Sequence, residues 1–254
     1  MNRRQLLTSS LAAGAVLAAP TRVFAQAGPR PQARRLLEVA AREVERNSAS
    51  LWRRNIVGIS DFGLHSSLPR FHIVDLDNAR VDSLLVSHGS GSDPEHDGWL
   101  NGFSNMQSSW ATSKGAYLTW EWYIGRFGRS VRLSGLDPTN SNAFDRAIVM
   151  HPADYSTPEH VARWGRLGRS NGCFALGPEP FRQALARLSG GCLLYADTLG
   201  IGPSGEDVAR PLQDSVDFEA NVARNTQRNQ RAQDTDAGEL ARIYADANPT
   251  LTTE

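Results

Sequence analysis

Lysine and cysteine are nearly absent from this chain. Lys114 is the single lysine among 27 basic residues, a bias that reflects composition more than chemistry. Two cysteines, Cys173 and Cys192, cannot build a disulfide framework, so a small disulfide-stapled scaffold is excluded. There is no excess of either charge: 27 basic residues balance 27 acidic ones. The longest apolar stretch, residues 11–19, is shorter than the ~20 residues a membrane-spanning helix needs. No internal repeat is visible, which excludes a solenoid.

The N-terminal residues have the layout of an export signal. Arg3 and Arg4 precede the apolar stretch, and Val23-Phe24-Ala25 is a small-x-small cleavage site. The paired arginines resemble a twin-arginine address, although the general secretory route fits the same layout. Residues 1–25 are therefore expected to be removed and the protein to reach the periplasm, with no membrane span left. Cleavage would also remove Arg3, Arg4 and Arg22, leaving 24 basic against 27 acidic residues, about −3. That balance argues against nucleic acid as a partner.

The remaining 229 residues are long enough to bury a core in one domain. Residues 26–35 read as a Pro/Arg/Ala-rich flexible leader. Leu36, Leu37, Val39, Ala40 and Val44 recur at helical spacing, predicting an amphipathic helix over 34–46. From Ile56 the pattern is strand-like. Two apolar runs, 71–76 and 81–86, flank Asp77-Asn78-Ala79-Arg80 and predict a hairpin. Further strands are predicted at 115–123 and 130–135, and a short buried one at 147–150 that delivers His151 at its end. Short helices are expected at 158–164 and 180–188, and a strand at 191–196 that closes the sheet. Residues 203–254 have few large apolar side chains and read as a polar, flexible tail with marginal helices near 216–232 and 237–246. The division is thus a leader with its helix at 26–49, one β-rich α+β domain with short helices at 50–202, and the tail.

The chemistry centres on Arg169-Ser170-Asn171-Gly172-Cys173, 22 positions after His151. A cysteine and a histidine brought together can form a thiolate–imidazolium pair. The free thiol, with a pKa of roughly 8.5, is otherwise little ionised at neutral pH. A neighbouring imidazole and a cation such as Arg169 favour ionisation. Gly172 lets a substrate carbonyl approach the main chain, so the N–H groups of Gly172 and Cys173 are candidates for an oxyanion hole.

Several further pieces occur in order around this segment: Ser87-His88-Gly89, Phe103-Ser104-Asn105, Ser113-Lys114-Gly115-Ala116-Tyr117, Tyr123-Ile124-Gly125, Leu133-Ser134-Gly135-Leu136, Asn140-Ser141-Asn142-Ala143 and Arg146-Ala147-Ile148-Val149-Met150-His151. Together with Gly168 to Cys173 the set resembles the YkuD-type L,D-transpeptidase catalytic domain in its murein variant. The resemblance covers about half of the chain. It implies a cysteine acyl-transferase acting on peptidoglycan stem peptides, with Cys173 as nucleophile, His151 as proton acceptor and Gly172 before the nucleophile. It also implies 3→3 cross-linking through a thioester and covalent inhibition by carbapenems, and calls for no cofactor or metal. The commoner family pattern Ser-His-Gly-Cys is not kept, because Asn171 stands at the second histidine's place. With water as acceptor the same site is an L,D-carboxypeptidase.

Each candidate also has a plainer reading. Cys173 can be a structural thiol, or tie to Cys192 in a non-catalytic envelope scaffold. Cys192, among Leu193, Leu194 and Tyr195, reads as core. His88 lines the cleft or fixes a loop by hydrogen bonds. Arg169 steadies a substrate carboxylate or salt-bridges a loop. Ser170 contacts substrate or caps a turn. His96, in Asp93-Pro94-Glu95-His96-Asp97, has no zinc-ligand spacing. Trp120 and Trp122 can stack on sugar rings, but alternation about Glu121 favours one-sided core packing.

Overall fold

The computed structural model describes residues 29–247; the signal read at residues 1–25 lies outside them. Pro31 opens helix α1 (Pro31–Arg46), where its missing N–H leaves nothing unsatisfied. Leu36, Val39, Ala40 and Glu43 are buried along one stripe, the i, i+3, i+4, i+7 pattern of a helix lying on a core. Residues 31–35 therefore belong to the helix and not to a flexible leader. Arg46 in the last turn joins Glu43 at 2.7 Å and Asp137 at 2.6 Å, tying α1 to the sheet's connections.

Eight strands form one mixed sheet: β1 (Ile56–Asp61), β2 (Phe71–Asp75), β3 (Arg80–Leu84), β4 (Gly115–Gly125), β5 (Gly128–Gly135), β6 (Val149–Pro152), β7 (Phe174–Leu176) and β8 (Leu193–Asp197), in the order β3-β2-β1-β8-β4-β5-β6-β7. The predicted hairpin is present as β2–β3, and the strands expected at 115–123 and 130–135 pair with each other as β4–β5. The strand expected to close the sheet lies instead at its centre. β8 runs parallel to β1 (Val57↔Leu193) and antiparallel to β4 (Leu118↔Leu193). A strand buried on both faces has its lowest free energy with neighbours on both edges. Its alternation serves two cores. Leu193 and Tyr195 join Leu36, Val39 and Ala40 under α1. Leu194 and Ala196 face Phe181, Ala184 and Leu188 of α3 (Pro178–Leu188). The short helix α2 (Pro158–Trp164) is capped by the Thr157 hydroxyl and ends at Gly165, which takes φ +71°. The architecture is α+β: one mixed sheet with helices packed on it.

A register shift between Thr119 and Trp122 interrupts β4–β5 pairing. This bulge turns Trp120, Glu121 and Trp122 all to solvent. The two tryptophans are 36 % and 51 % exposed, so core packing is not their role. Trp52 stands edge-on to Trp120 at 5.3 Å.

Beyond Gly202 the chain returns along the domain and enters a single helix, α4 (Phe218–Ala247), where two marginal ones were expected. Its first turns are docked. Asn221 is buried and donates to Gly91 O at 3.2 Å, and Asn225 donates to Ser108 O at 2.9 Å.

His72 on β2 is buried with Nδ1 2.9 Å from Ser83 Oγ and no partner for Nε2. Burial lowers its pKa from 6.5 to about 4. The unfolded chain thus takes up this proton first, so the contribution to stability is full above about pH 6.5 and is lost as pH falls toward 4. We expect the urea midpoint to drop over that interval and to drop less in His72→Leu. Equal slopes in the two proteins would show that His72 does not carry the effect.

Candidate active site

The segment before β7 is held by main-chain bonds to residues 87–90. Ser170 N–H donates to His88 O at 2.9 Å, and Ser90 N–H donates to Ser170 O at 2.8 Å. Gly172 then takes φ +110°, and a Cβ there would lie 2.7 Å from Ala111 O and 2.9 Å from Ile148 Cδ1. Both the angle and the space require glycine. The Ser170 hydroxyl closes the turn: it accepts from Gly172 N–H at 3.2 Å and donates to Cys173 O at 2.7 Å. Of the readings for Ser170, the turn is the one realised, and its hydroxyl is not free to contact substrate. The same bond alters the expected oxyanion hole. Gly172 N–H is engaged inside the turn, so of these two groups the Cys173 N–H alone has no acceptor among the described residues.

β6 and β7 are parallel with Met150 opposite Phe174 and His151 opposite Ala175. Continued by one residue, this register sets Cys173 opposite Val149. Cys173 and His151 are then diagonal neighbours on one face of the sheet. The structure thus brings together the two residues singled out in the sequence. The Cys173 thiol lies 3.8 Å from Ala147 O. Ala147 takes φ +52°, a strained angle for a residue with a side chain, in the turn that presents its carbonyl to the thiol.

Burial raises the Cys173 pKa above the ordinary thiol value, with the Val149 N–H and the charge of Arg146 acting against it. The cation that acts on the thiol is therefore Arg146 and not Arg169. Arg146 donates to Ser104 O at 2.8 Å and Ala111 O at 2.6 Å, which anchors its guanidinium behind Gly172. Its place in the Arg146-to-His151 segment was visible in the sequence. Nothing local to that segment shows that it reaches the nucleophile loop.

His151 Nδ1 is 2.9 Å from Pro152 O. A carbonyl only accepts, so Nδ1 carries the hydrogen and Nε2 keeps its lone pair. The ring stacks on Phe127 from the β4–β5 turn, with centroids 4.3 Å apart and planes at 19°. Burial lowers the His151 pKa, opposed by the Pro152 carbonyl. Burial thus works against the charged form of each group, and so against a resting thiolate–imidazolium pair. Beside it, a cavity of about 200 Å³ lined by Tyr123, Arg132, Phe144, Ala147 and Val149 reaches the backbone that touches the thiol.

His88 does not line this cleft. It is buried, with Nδ1 2.7 Å from Arg70 Nη2 and Nε2 3.1 Å from Asp93 Oδ2. Arginine only donates, so Nδ1 accepts and Nε2–H donates to Asp93; the residue fixes a loop. Arg169 donates to the Asp93 carbonyl and, at 3.3 Å, to that of Pro94. His96 is engaged with Leu167 O at 3.0 Å. Cys173 and Cys192 are both free, and Cys192 lies at the head of β8, four strand positions from β7. The Cys173–Cys192 disulfide on which the scaffold reading drew is therefore not formed.

Among curated proteins, none matches the chain. Several solved structures are similar to it. An L,D-transpeptidase from Mycobacterium smegmatis is 14 % identical with a TM-score of 0.35, over 56 % of this chain and 58 % of that one. An L,D-transpeptidase from Mycobacterium tuberculosis H37Rv is 13 % identical with a TM-score of 0.37, over 56 % and 57 %. L,D-transpeptidase 3 from Mycobacterium tuberculosis, in complex with a faropenem-derived adduct, is 12 % identical with a TM-score of 0.36, over 56 % and 60 %. In each case the chain spans less than two thirds of the other protein's length. The family model YkuD_2, the L,D-transpeptidase catalytic domain, matches residues 32–196. That match takes in the whole sheet up to β8 and every residue of the cysteine–histidine site, and by it this chain belongs to the L,D-transpeptidase catalytic domain family.

Proposed function

We propose that this protein is an L,D-transpeptidase that joins peptidoglycan stem peptides through a thioester on Cys173. The observation that carries the reading is the β6–β7 register, which sets Cys173 and His151 on one face beside a cavity, within a domain of the L,D-transpeptidase family. Cys173 Sγ attacks the carbonyl carbon of the bond between the third and fourth stem residues while His151 Nε2 takes the thiol proton. The oxyanion that forms accepts from Cys173 N–H. The C–N bond then breaks, and His151 returns the proton to the departing D-alanine amine. An amine of a second stem attacks the thioester, loses a proton to His151, and the thiol is restored with a 3→3 cross-link made. Water in place of that amine gives the L,D-carboxypeptidase reaction. Arg3, Arg4 and the apolar stretch after them support export to the periplasm, where such stems lie.

Burial favours the neutral form of both partners, so attack and proton transfer are coupled and a free thiolate does not accumulate. His151 is disabled by protonation, and its pKa is lowered. The acid limb of the acylation rate should therefore fall below the usual imidazole range. Stopped-flow acylation by a carbapenem across pH reads this directly, and a limb at or above the ordinary histidine value would contradict it.

Opening of a carbapenem ring by Cys173 should add one inhibitor mass to the intact protein. Cys173→Ala should abolish the adduct; an adduct that survives in the variant would move the nucleophile elsewhere. His151→Ala should slow acylation by roughly 10²–10⁴-fold, the range for loss of a general base, with melting unchanged. Full activity in that variant would remove His151 from the mechanism. Muropeptide mass spectrometry after incubation with tetrapeptide-rich sacculi tests the cross-link itself, wild type beside Cys173→Ala.

A further inference from the structure

We infer that Arg224 and Arg228 of α4 complete a pocket with Arg169 that binds the free carboxylate at the end of the stem peptide. The identity of that ligand rests on the transpeptidase reading. A cavity of about 360 Å³ opens between the nucleophile-side loops and α4, lined by Ser90, Gly91, Trp110, Arg169, Arg224 and Arg228. Three guanidinium groups border it. None of them pairs with a carboxylate among the described residues, whereas Arg35, Arg42, Arg46, Arg80, Arg182 and Arg187 all do.

The partners of the three arginines are neutral. Arg169 donates to the carbonyls of Asp93 and Pro94. Arg224 donates to the side-chain oxygen of Asn221. Arg228 lies over the Trp110 ring at 5.3 Å. These contacts orient the groups; the carboxylate whose charge reaches Arg169 is that of Asp93, which already accepts from His88, Asp97 and Gly98, so an anion entering the space meets guanidinium donors that no carboxylate occupies. On its far side Arg224 also borders a second cavity with Glu95, Asp214 and Asp217, none within ion-pair distance of it.

The pocket shares its wall with the nucleophile loop. Gly91 N–H donates to Trp110 O at 2.9 Å, and Ser90 N–H to Ser170 O at 2.8 Å. A Cβ on Gly89 would lie 2.3 Å from Trp110 O and 2.8 Å from Gly172 N, so the three backbones are in contact. Trp110 itself takes φ +53°, a strained angle for a bulky residue, next to that contact. The docked Asn221 and Asn225 fix the helix that presents Arg224 and Arg228. A carboxylate fits the planar fork of arginine, and the terminal carboxylate of a tetrapeptide stem sits one residue beyond the bond that breaks. The family match ends at residue 196, so α4 adds these two arginines from outside the shared domain.

The test is calorimetric binding to the full chain carrying Cys173→Ala, which holds substrate without turnover. The probes are a disaccharide tetrapeptide with a free C-terminal carboxylate and the same compound amidated there. The acid should bind about 10-fold or more tightly than the amide, the scale of one charge-assisted bidentate contact. Arg224→Gln with Arg228→Gln should lower the affinity for the acid to that for the amide and leave the amide unchanged. Arg228→Lys should retain part of the difference. Equal binding of acid and amide overturns the pocket, as does undiminished acid binding in the double variant or no binding of either probe. The acid–amide comparison needs no change in α4, so misfolding of the variants does not mask the result. Acylation of the wild type by the tetrapeptide, read by intact mass, is separate: its absence with acid–amide discrimination intact rejects the transpeptidase reading and keeps the pocket.

Discussion

Arg70 is the largest fully buried side chain described, and the loops that carry the chemistry are arranged to satisfy it. Its guanidinium donates to Val86 O at 3.1 Å, Leu64 O at 2.8 Å and His88 Nδ1 at 2.7 Å, and it lies over the Phe62 ring at 5.0 Å. Burial pulls its pKa down to about 9, with Asp61 and Asp93 opposing the shift, so it stays charged at neutral pH. A buried cation is tolerated only when its donors are met. His88 meets one of them and hands its own N–H to Asp93, whose carboxylate also takes the N–H groups of Asp97 and Gly98. The His88 carbonyl in turn receives Ser170 N–H. The turn before Cys173 thus hangs from a backbone whose side chains are locked into a charge network.

This rigidity sets the resting chemistry. Cys173 and His151 are both largely shielded from solvent, and desolvation moves their pKa values in opposite directions, each toward the neutral form. Burial that favours the neutral thiol lowers its reactivity toward small oxidants and electrophiles. Arg146 moderates the effect from behind Gly172, while Phe127 and the Pro152 carbonyl hold the imidazole in one plane and one tautomer. The hydroxyl of Ser170 keeps Gly172 N–H inside the turn, while the neighbouring Cys173 N–H takes no part in it.

On the outside of the molecule two features frame the cleft. The bulge in β4 exposes Trp120 and Trp122, which with Trp52, Tyr123, Arg132 and Phe144 line a cavity of about 480 Å³ that shares Tyr123, Arg132 and Phe144 with the one reaching Ala147 and Val149. On the other side α4 docks through Asn221 and Asn225 against the 91–108 loops. The tail's composition disfavours a core of its own, and it rests on the domain through mixed contacts: Asn221 and Asn225 on main-chain carbonyls, Phe218 against Gly102, and Arg228 over the Trp110 ring.

Local patterning determined much of this protein before any contact was known. Alternating apolar residues about Asp77-Asn78-Ala79-Arg80 and Gly125-Arg126-Phe127-Gly128-Arg129 specify the two hairpins, and the Pro158-to-Trp164 segment with its Thr157 cap specifies α2. The ordered motifs around Cys173 and His151 specify the family, because that chemistry constrains residue types within short segments. Long-range pairing decided the rest. The apolar run within 191–196 reads alike at a sheet's edge or its centre, and only burial on both faces against α1 and α3 places it between β1 and β4. His88 reads alike as a cleft wall or a loop anchor until Arg70, 18 residues away, comes to its Nδ1. The protonation of Cys173 and His151, the identity of the cation near the thiol and the docking of α4 depend on desolvation and on groups far apart in the chain, and those exist only once the chain is folded.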